Sequence, residues 1–247
     1  MTAAVDHYDP MTSFGRATAD SYDDTLRGDE ADTVAFLLGL AAGGPALELA
    51  IGTGRIALPL AERGISVDGI DLSPEMVARL REKPGGERIA VTLGDFAEVG
   101  VPGRYPLIYL VFNTLFNLLS QDDQVRCFEN VAAHLTDDGV FVVEAFVPDF
   151  LFRLRDHQYV DAEAIEVSAV RLDVGRHDPT RQLLEESHVE LTPAGIRLFP
   201  IVCRYAWPSE LDLMARLAGL RLKNRWGGWN EEPFTSASPR HVSVYSP

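Results

Sequence analysis

Between residues 43 and 148 this 247-residue chain alternates short apolar runs with helix-like stretches. The runs at 46–51, 64–71, 88–95, 105–114 and 138–148 read as strands. The fourth, "YPLIYLVFNT", is almost continuously apolar. A strand of that kind is buried on both faces, as in a parallel sheet covered by helices. Helical stretches fall at 30–40, 54–63, 73–83 and 121–135. "GGP" at 43–45 stops the first, and Pro59 delays or kinks the second. Ser73 is a capping residue and Pro74 occupies the first helical position of the third. This is the spacing of βαβ units, and it predicts an α/β fold with a doubly wound, mostly parallel sheet.

The pattern changes after Pro148. Segments 163–174, 183–191 and 196–205 read as antiparallel strands, parted by "RHDPTR" and "TPAG". A helix at 208–220 and two strands, "LRLKNRW" and "RHVSVYS", close the chain. One domain in four parts is expected. Residues 1–42 form an N-terminal helical lid and 43–147 a core. Residues 148–207 form an antiparallel insertion over the substrate, and 208–247 the last helix and hairpin.

Net charge narrows the partners. With 22 basic and 37 acidic residues the charge is −15, and no dense basic cluster interrupts it. Nucleic-acid affinity rests on Lys and Arg contacts, so neither nucleic acid nor an anionic membrane is an expected partner. No apolar run reaches the ~20 residues that span a bilayer. The first residues are polar, unlike a signal peptide. Cys127 and Cys203 lie far apart, which suits small buried side chains in a reduced, cytoplasmic protein.

The first strand breaks into spaced glycines in "LELAIGTGR", residues 47–55. In doubly wound sheets ligands bind at such a bend, beyond the carboxyl end of the strand. Gly52 and Gly54 allow tight backbone and close approach. The stretch also satisfies G-x-G-x-x-G/A through Ala57, a weak sign of a dinucleotide. Glu48 opposes that reading, because a carboxylate repels a pyrophosphate and attracts a sulfonium or ammonium. Asp71 ends the second strand in "GIDLSPEM", placed to accept from two ribose hydroxyls. Asp95 follows the third in "LGDF", placed to accept from an adenine amino group, with Phe96 beside the ring. "FNTLFNL", 112–118, follows the fourth strand, where a cofactor's reactive end would lie.

On these motifs the sequence resembles the class I S-adenosylmethionine-dependent methyltransferases of small-molecule type. The resemblance covers 30–147 firmly and the rest loosely. It implies a seven-stranded Rossmann-like sheet with S-adenosylmethionine as cofactor. It also implies that Glu48 orders the amino-acid end and that Ala50, Gly52 and Gly54 supply backbone contacts. Asp71 would then bind ribose and Asp95 adenine, with Leu72 and Phe96 flanking the base and Met76 nearby. Ala50 stands where a glycine is common. Tyr22 is the candidate to close over the cofactor. Phe112 and Asn113 belong to the cofactor set; Arg55 either meets the cofactor carboxylate or lies on a solvated helix face. In similar N-methyltransferases the inserted strands cover the substrate or build a dimer, so a homodimer is an open expectation.

The expected activity is methyl transfer to a nitrogen or oxygen, with carbon open, of a small molecule of specialised metabolism. Positioning and desolvation can carry much of such a rate. An alcohol or phenol also calls for a general base. Glu144 and His241 are the leading candidates; His157, His177 and His188 are others. Asn117, Tyr205 and Trp229 are candidates for the substrate pocket, although large aromatics are also ordinary core residues. The spacing of His and Cys contains no metal motif. Two alternatives remain at this stage. A nicotinamide-dependent oxidoreductase is weakened by the lack of a Tyr-x-x-x-Lys pair. A non-catalytic cofactor-binding protein would keep the same anchors without turnover.

Overall fold

The computed structural model describes residues 8–24, 27–98 and 100–247. Two short helices, α1 (Pro10–Ser13) and α2 (Arg16–Ala19), and a 3₁₀ turn (Tyr22–Asp24) precede α3 (Glu30–Ala41). There follow β1 (Ala46–Leu49), α4 (Ala57–Glu62), β2 (Val67–Asp71), α5 (Pro74–Glu82), β3 (Ala90–Leu93), β4 (Tyr105–Leu110), α6 (Gln121–His134) and β5 (Leu135–Phe146). The insertion holds β6 (Gln158–Ile165), β7 (Val170–Asp178), β8 (Leu183–Thr192) and β9 (Gly195–Arg204). Then come α7 (Pro208–Leu217), β10 (Arg221–Trp226) and β11 (Arg240–Ser246).

The main sheet has seven strands in the order β10-β11-β5-β4-β1-β2-β3. Pairs among β1 to β5 are parallel, and β11 runs antiparallel to both its neighbours. This is the doubly wound, Rossmann-like fold. Chain order reverses between β1 and β4, which puts the switch point where the glycine bend lies. Alternate residues of each strand feed two cores. Ile108 and Leu110 join one with Leu47 and Phe141; Leu107 and Tyr109 join the other with Val34 and Val142.

Helix starts follow local chemistry. Ser73 Oγ accepts from the Met76 amide at 3.1 Å, with Pro74 in the first turn. Helix α4 begins at Ala57, later than the expected 54, because residues 52–56 turn beneath the site. Pro59 then falls in the first turn, where its missing N–H costs no helical bond.

The insertion is a separate sheet, β6-β7-β8-β9, with four strands. The sequence suggested three. Segment 163–174 contains a turn closed by Glu166 N–H to Ala169 O at 2.9 Å. Edge strand β6 is mostly exposed and carries two acids, so no apolar run marks it. The two faces of this sheet differ. One carries Val160, Leu172, Val174, Val189, Leu191 and Leu198; the other carries Tyr159, Asp173, Gly175, Glu186, His188 and Ile201.

One side chain anchors the insertion to the core. Arg204, only 6% exposed at the end of β9, donates to Gln124 Oε1 of α6 at 2.6 Å and to Glu210 Oε1 of α7 at 2.8 Å. It also donates to Gln182 Oε1 at 3.1 Å. Truncating one partner of a buried ion pair costs more than the pair contributes net, because the other charge is left unpaired. Arg204→Met is therefore expected to lose about 3 kcal/mol of unfolding free energy. Urea denaturation checks this, and a loss below ~1 kcal/mol would count against the anchor.

Candidate functional site

Strand β1 ends at a bend made by left-handed backbone: Ala50 has φ +54°, Gly52 +56° and Gly54 +77°. For alanine that conformation costs on the order of 1–2 kcal/mol. A Cβ on Gly54 would lie 2.3 Å from Leu80 Cδ1, so glycine lets α5 pack against the bend. The bend is held by Asp71. Its Oδ2 accepts the Gly52 amide at 2.6 Å and its Oδ1 the Ser73 amide at 2.8 Å. Burial pushes the Asp71 carboxyl above its usual range, against the pull of the Ser73, Gly52 and Leu72 amides.

Beyond the bend lies a cleft. Among the sequence candidates, Tyr22, Ala50, Gly52, Asp71, Leu72, Met76, Asp95, Phe96 and Asn117 line it. Asp95 holds its own loop through the Ala97 amide, 2.8 Å from Oδ1. Pro10, Met11, Phe14, Ser73, Thr114 and Leu118 also line the cleft and were not singled out from sequence. The first three come from the N-terminal segment, whose apolar residues carry no local motif. The described lining carries two carboxylates and no Lys, Arg or His. Such a cleft suits a cationic nucleoside and offers no counter-charge to a pyrophosphate.

The N-terminal segment is tied across the cleft. Ser73 Oγ donates to Phe14 O at 2.7 Å. Asp23 receives Thr53 Oγ1 at 2.8 Å and pairs with Lys83 Nζ at 2.6 Å. Arg55 donates to Tyr22 O at 2.6 Å and lies 4.6 Å over the Tyr22 ring. It is therefore neither on the cleft lining nor on a solvated helix face; it holds Tyr22.

Other candidates lie off the lining. Glu48, 3% exposed, accepts from Tyr109 Oη at 3.0 Å beneath the bend. Burial drives its carboxyl well up, and the Tyr109 and Ala57 bonds oppose this only in part. Phe112 and Asn113 form a left-handed turn after β4, with φ +60° and +62°. Glu144, 1% exposed, braces that turn by accepting the Phe112 amide at 2.8 Å. Its oxygens also take Arg27 Nη2 at 2.7 Å, Arg27 Nη1 at 3.2 Å and Arg240 Nη1 at 3.4 Å. Both oxygens are taken by guanidinium groups and the Phe112 amide, and Glu144 is off the cleft lining, so it does not fit the general-base role. His241 is fully buried; its Nδ1 meets Ser243 Oγ at 2.8 Å and Phe234 packs on its edge. It too is off the cleft and does not fit that role.

The two aromatic candidates are core. Tyr205 is fully buried, its hydroxyl 2.6 Å from His177 Nε2. Trp229, 4% exposed, packs edge-on against Phe36 with centroids 5.5 Å apart. Neither lines the cleft. Of the remaining histidines, His188 pairs with Glu163 on the inserted sheet, and His157 packs against His177.

Comparison with known proteins agrees with this geometry. The family profile described as "Methyltransferase domain" matches residues 46–139. The chain is 40% identical to the CcbJ methyltransferase of Streptomyces caelestis, with a TM-score of 0.90 over 97% of this chain and 99% of that one. It is 25% identical over 203 residues to the cypemycin N-terminal methyltransferase of a Streptomyces species, 82% of each chain. SAM-bound CalS10, an amino pentose methyltransferase from Micromonospora echinaspora, shares the fold. Its TM-score is 0.68 and its identity 21%, covering 94% of this chain and 95% of that one.

Burial holds the His241 imidazole down at about 3, from an ordinary value of 6.5, with the Arg225 charge adding to the effect. The unfolded chain thus binds a proton below 6.5 that the folded one refuses. The stability is fully present above pH 6.5 and is lost as pH falls toward 3, at up to about 1.4 kcal/mol per pH unit. His241→Gln is expected to lose about 2 kcal/mol less than the parent between pH 6.5 and 5. Urea titrations at the two pH values check this; equal losses would contradict it.

Proposed function

The chain belongs to the S-adenosylmethionine-dependent methyltransferases, and on that premise we propose that it methylates a nitrogen of a small molecule of specialised metabolism. When bound, S-adenosylmethionine supplies an electrophilic methyl group on a sulfonium. The observation that carries the reading is the cleft at the switch point, with Asp71 and Asp95 on its wall and no cation among its described lining residues. Each carboxylate oxygen has more than one lone pair. Asp71 can therefore accept from ribose hydroxyls while holding Gly52 and Ser73. Asp95 is the acceptor for the adenine amino group, between Phe96 and Leu72, with Met76 below. Ala50, Gly52 and Gly54 shape the bend, and Glu48 supports it from beneath. Tyr22, pinned by Arg55, covers the site. Phe112 and Asn113, braced by Glu144, set the turn next to the reacting end, and Asn117 faces the acceptor.

Nitrogen is favoured over oxygen by the state of these acids. Both carboxylates on the lining are engaged by backbone amides, and Glu144 and His241 lie off it. A neutral amine needs no strong base, since its proton can pass to water after attack; an alcohol calls for one. The name of one similar protein, an N-terminal methyltransferase, supports the same choice. Two buried free cysteines, Cys127 and Cys203, suit a reducing, cytoplasmic compartment.

The outer face of the inserted sheet favours a homodimer. Val160, Ile165, Ile196 and Leu198 on that sheet are 72%, 77%, 69% and 63% exposed. A contiguous aliphatic face of this kind marks an interaction surface, and a second copy matches it by symmetry.

Two outcomes are expected. Asp71→Ala weakens S-adenosylhomocysteine binding by ~1–3 kcal/mol in calorimetric titration; undiminished affinity would overturn the assigned site. Leu198→Glu converts the dimer to a monomer in sedimentation velocity. A parent protein that already sediments as one chain would sink the dimer.

A further inference from the structure

The inserted sheet turns its polar face toward the cleft and its aliphatic face away. Cys203 stands on the polar face, its sulfur 3.8 Å from Asn117 Oδ1, and Asn117 lines the cleft. The next row outward on that face is Tyr159, Gly175, Glu186 and Ile201, matched across the four strands. Same-face rows in a sheet lie about 7 Å apart. Glu186 therefore sits about one row beyond the side chain that touches the cleft; burial raises the Cys203 thiol, and the nearby Glu186 charge adds to the rise. Tyr159 and Ile201 of this row pack onto the core that also holds Phe96 and Leu118 of the cleft.

The row is built around one carboxylate pair. A Cβ on Gly175 would lie 2.2 Å from the Tyr159 ring, so the ring lies across the glycine. That places the Tyr159 hydroxyl between Glu186 Oε1 and Asp173 Oδ2, 3.1 Å from the latter. One phenolic proton serves two carboxylates. Asp173 Oδ1 is buried and has no hydrogen-bond partner among the described residues. Burial raises both carboxyls; the Asp173 charge adds to the rise at Glu186 and the Glu163 charge to both, while His188 and the Tyr159 bond oppose it. Acceptor atoms here outnumber donors, and the protein leaves the balance unfilled. The guanidinium groups of this face, Arg171 and Arg197, stand in the far row on either side of Glu190, and His188, opposite Asp173, pairs with Glu163.

We propose that this face is the acceptor wall of the enzyme, that Glu186, held by Tyr159 and backed by Asp173, receives a cationic or hydrogen-bond-donating group of the acceptor, and that the enzyme takes free amines and rejects amines carried on a phosphate or diphosphate. The proposal rests on the methyltransferase reading of the cleft. It adds a substrate class. A phosphate near Glu186 and Asp173 meets two carboxylates beside which stands a single imidazole, His188, already paired with Glu163, whereas an ammonium supplies the missing donors.

The test uses analogues of S-adenosylhomocysteine in which nitrogen replaces sulfur and carries a flexible alkyl arm toward the acceptor side. The arm ends in an ammonium, a hydroxyl or a phosphate; the unarmed analogue is the reference. Calorimetry on the full chain should find the ammonium arm bound at least about tenfold more tightly than the phosphate arm. Glu186→Gln and Asp173→Asn should each shrink that ratio severalfold while leaving the unarmed analogue's affinity as it was. Unchanged affinity for the unarmed analogue also certifies that the variants are folded. Equal binding of the two charged arms, preference for phosphate, or a ratio untouched by both substitutions overturns the proposal. Failure of the unarmed analogue to bind the parent protein overturns the cofactor reading itself, and this proposal with it.

Discussion

A single carboxylate organises the end of the sheet. Asp71 closes β2 and takes the Gly52 amide on one oxygen and the Ser73 amide on the other. The first bond holds the bend after β1; the second starts α5. Ser73 then carries the constraint outward, since its hydroxyl caps α5 and meets Phe14 O of the N-terminal segment. Bend, helix and cover thus share one point of attachment. The left-handed Ala50 is tolerable because that attachment over-determines the loop.

Two further buried polar hubs hold the parts that a parallel sheet does not. Glu144 joins Arg27 and Arg240 to the turn at Phe112. Arg204 joins β9 to α6 and α7 through Gln124 and Glu210. Each is a charge taken out of water and met by several partners, an arrangement costly to break and modest in net contribution. Their value is in geometry. They fix where the N-terminal segment, the last hairpin and the inserted sheet stand relative to the cleft.

The α/β core was legible because its signals are local. Apolar runs, Ser73 and Pro74 before a helix, and spaced glycines after β1 each act within a few residues. Asp71 and Asp95 were legible for the same reason, as the ends of strands. Glu144 was misread because its partners are remote: Arg27 lies 117 residues away and Arg240 96. Nothing in the spacing around Glu144 reveals two guanidinium groups. Trp229 and Tyr205 were offered as pocket residues on their chemistry, and packing against Phe36 and His177 decided otherwise. Strand β6 went unseen because an exposed edge strand needs no apolar alternation. The cover residues Met11 and Phe14 belong to a segment whose position is set by Ser73 and Pro200, both far along the chain.

The attachment of the inserted sheet has a mechanical consequence. Arg204, Cys203, Leu184 and His177 are buried at one end of its strands, while the opposite end at Ile165, Val167 and Ile196 is bare. The sheet is a cantilever. Substitutions near its root disturb the core and the cleft together, whereas those toward its tip disturb neither. A lineage can therefore rewrite the tip of the sheet at little cost to the machinery that holds the methyl donor.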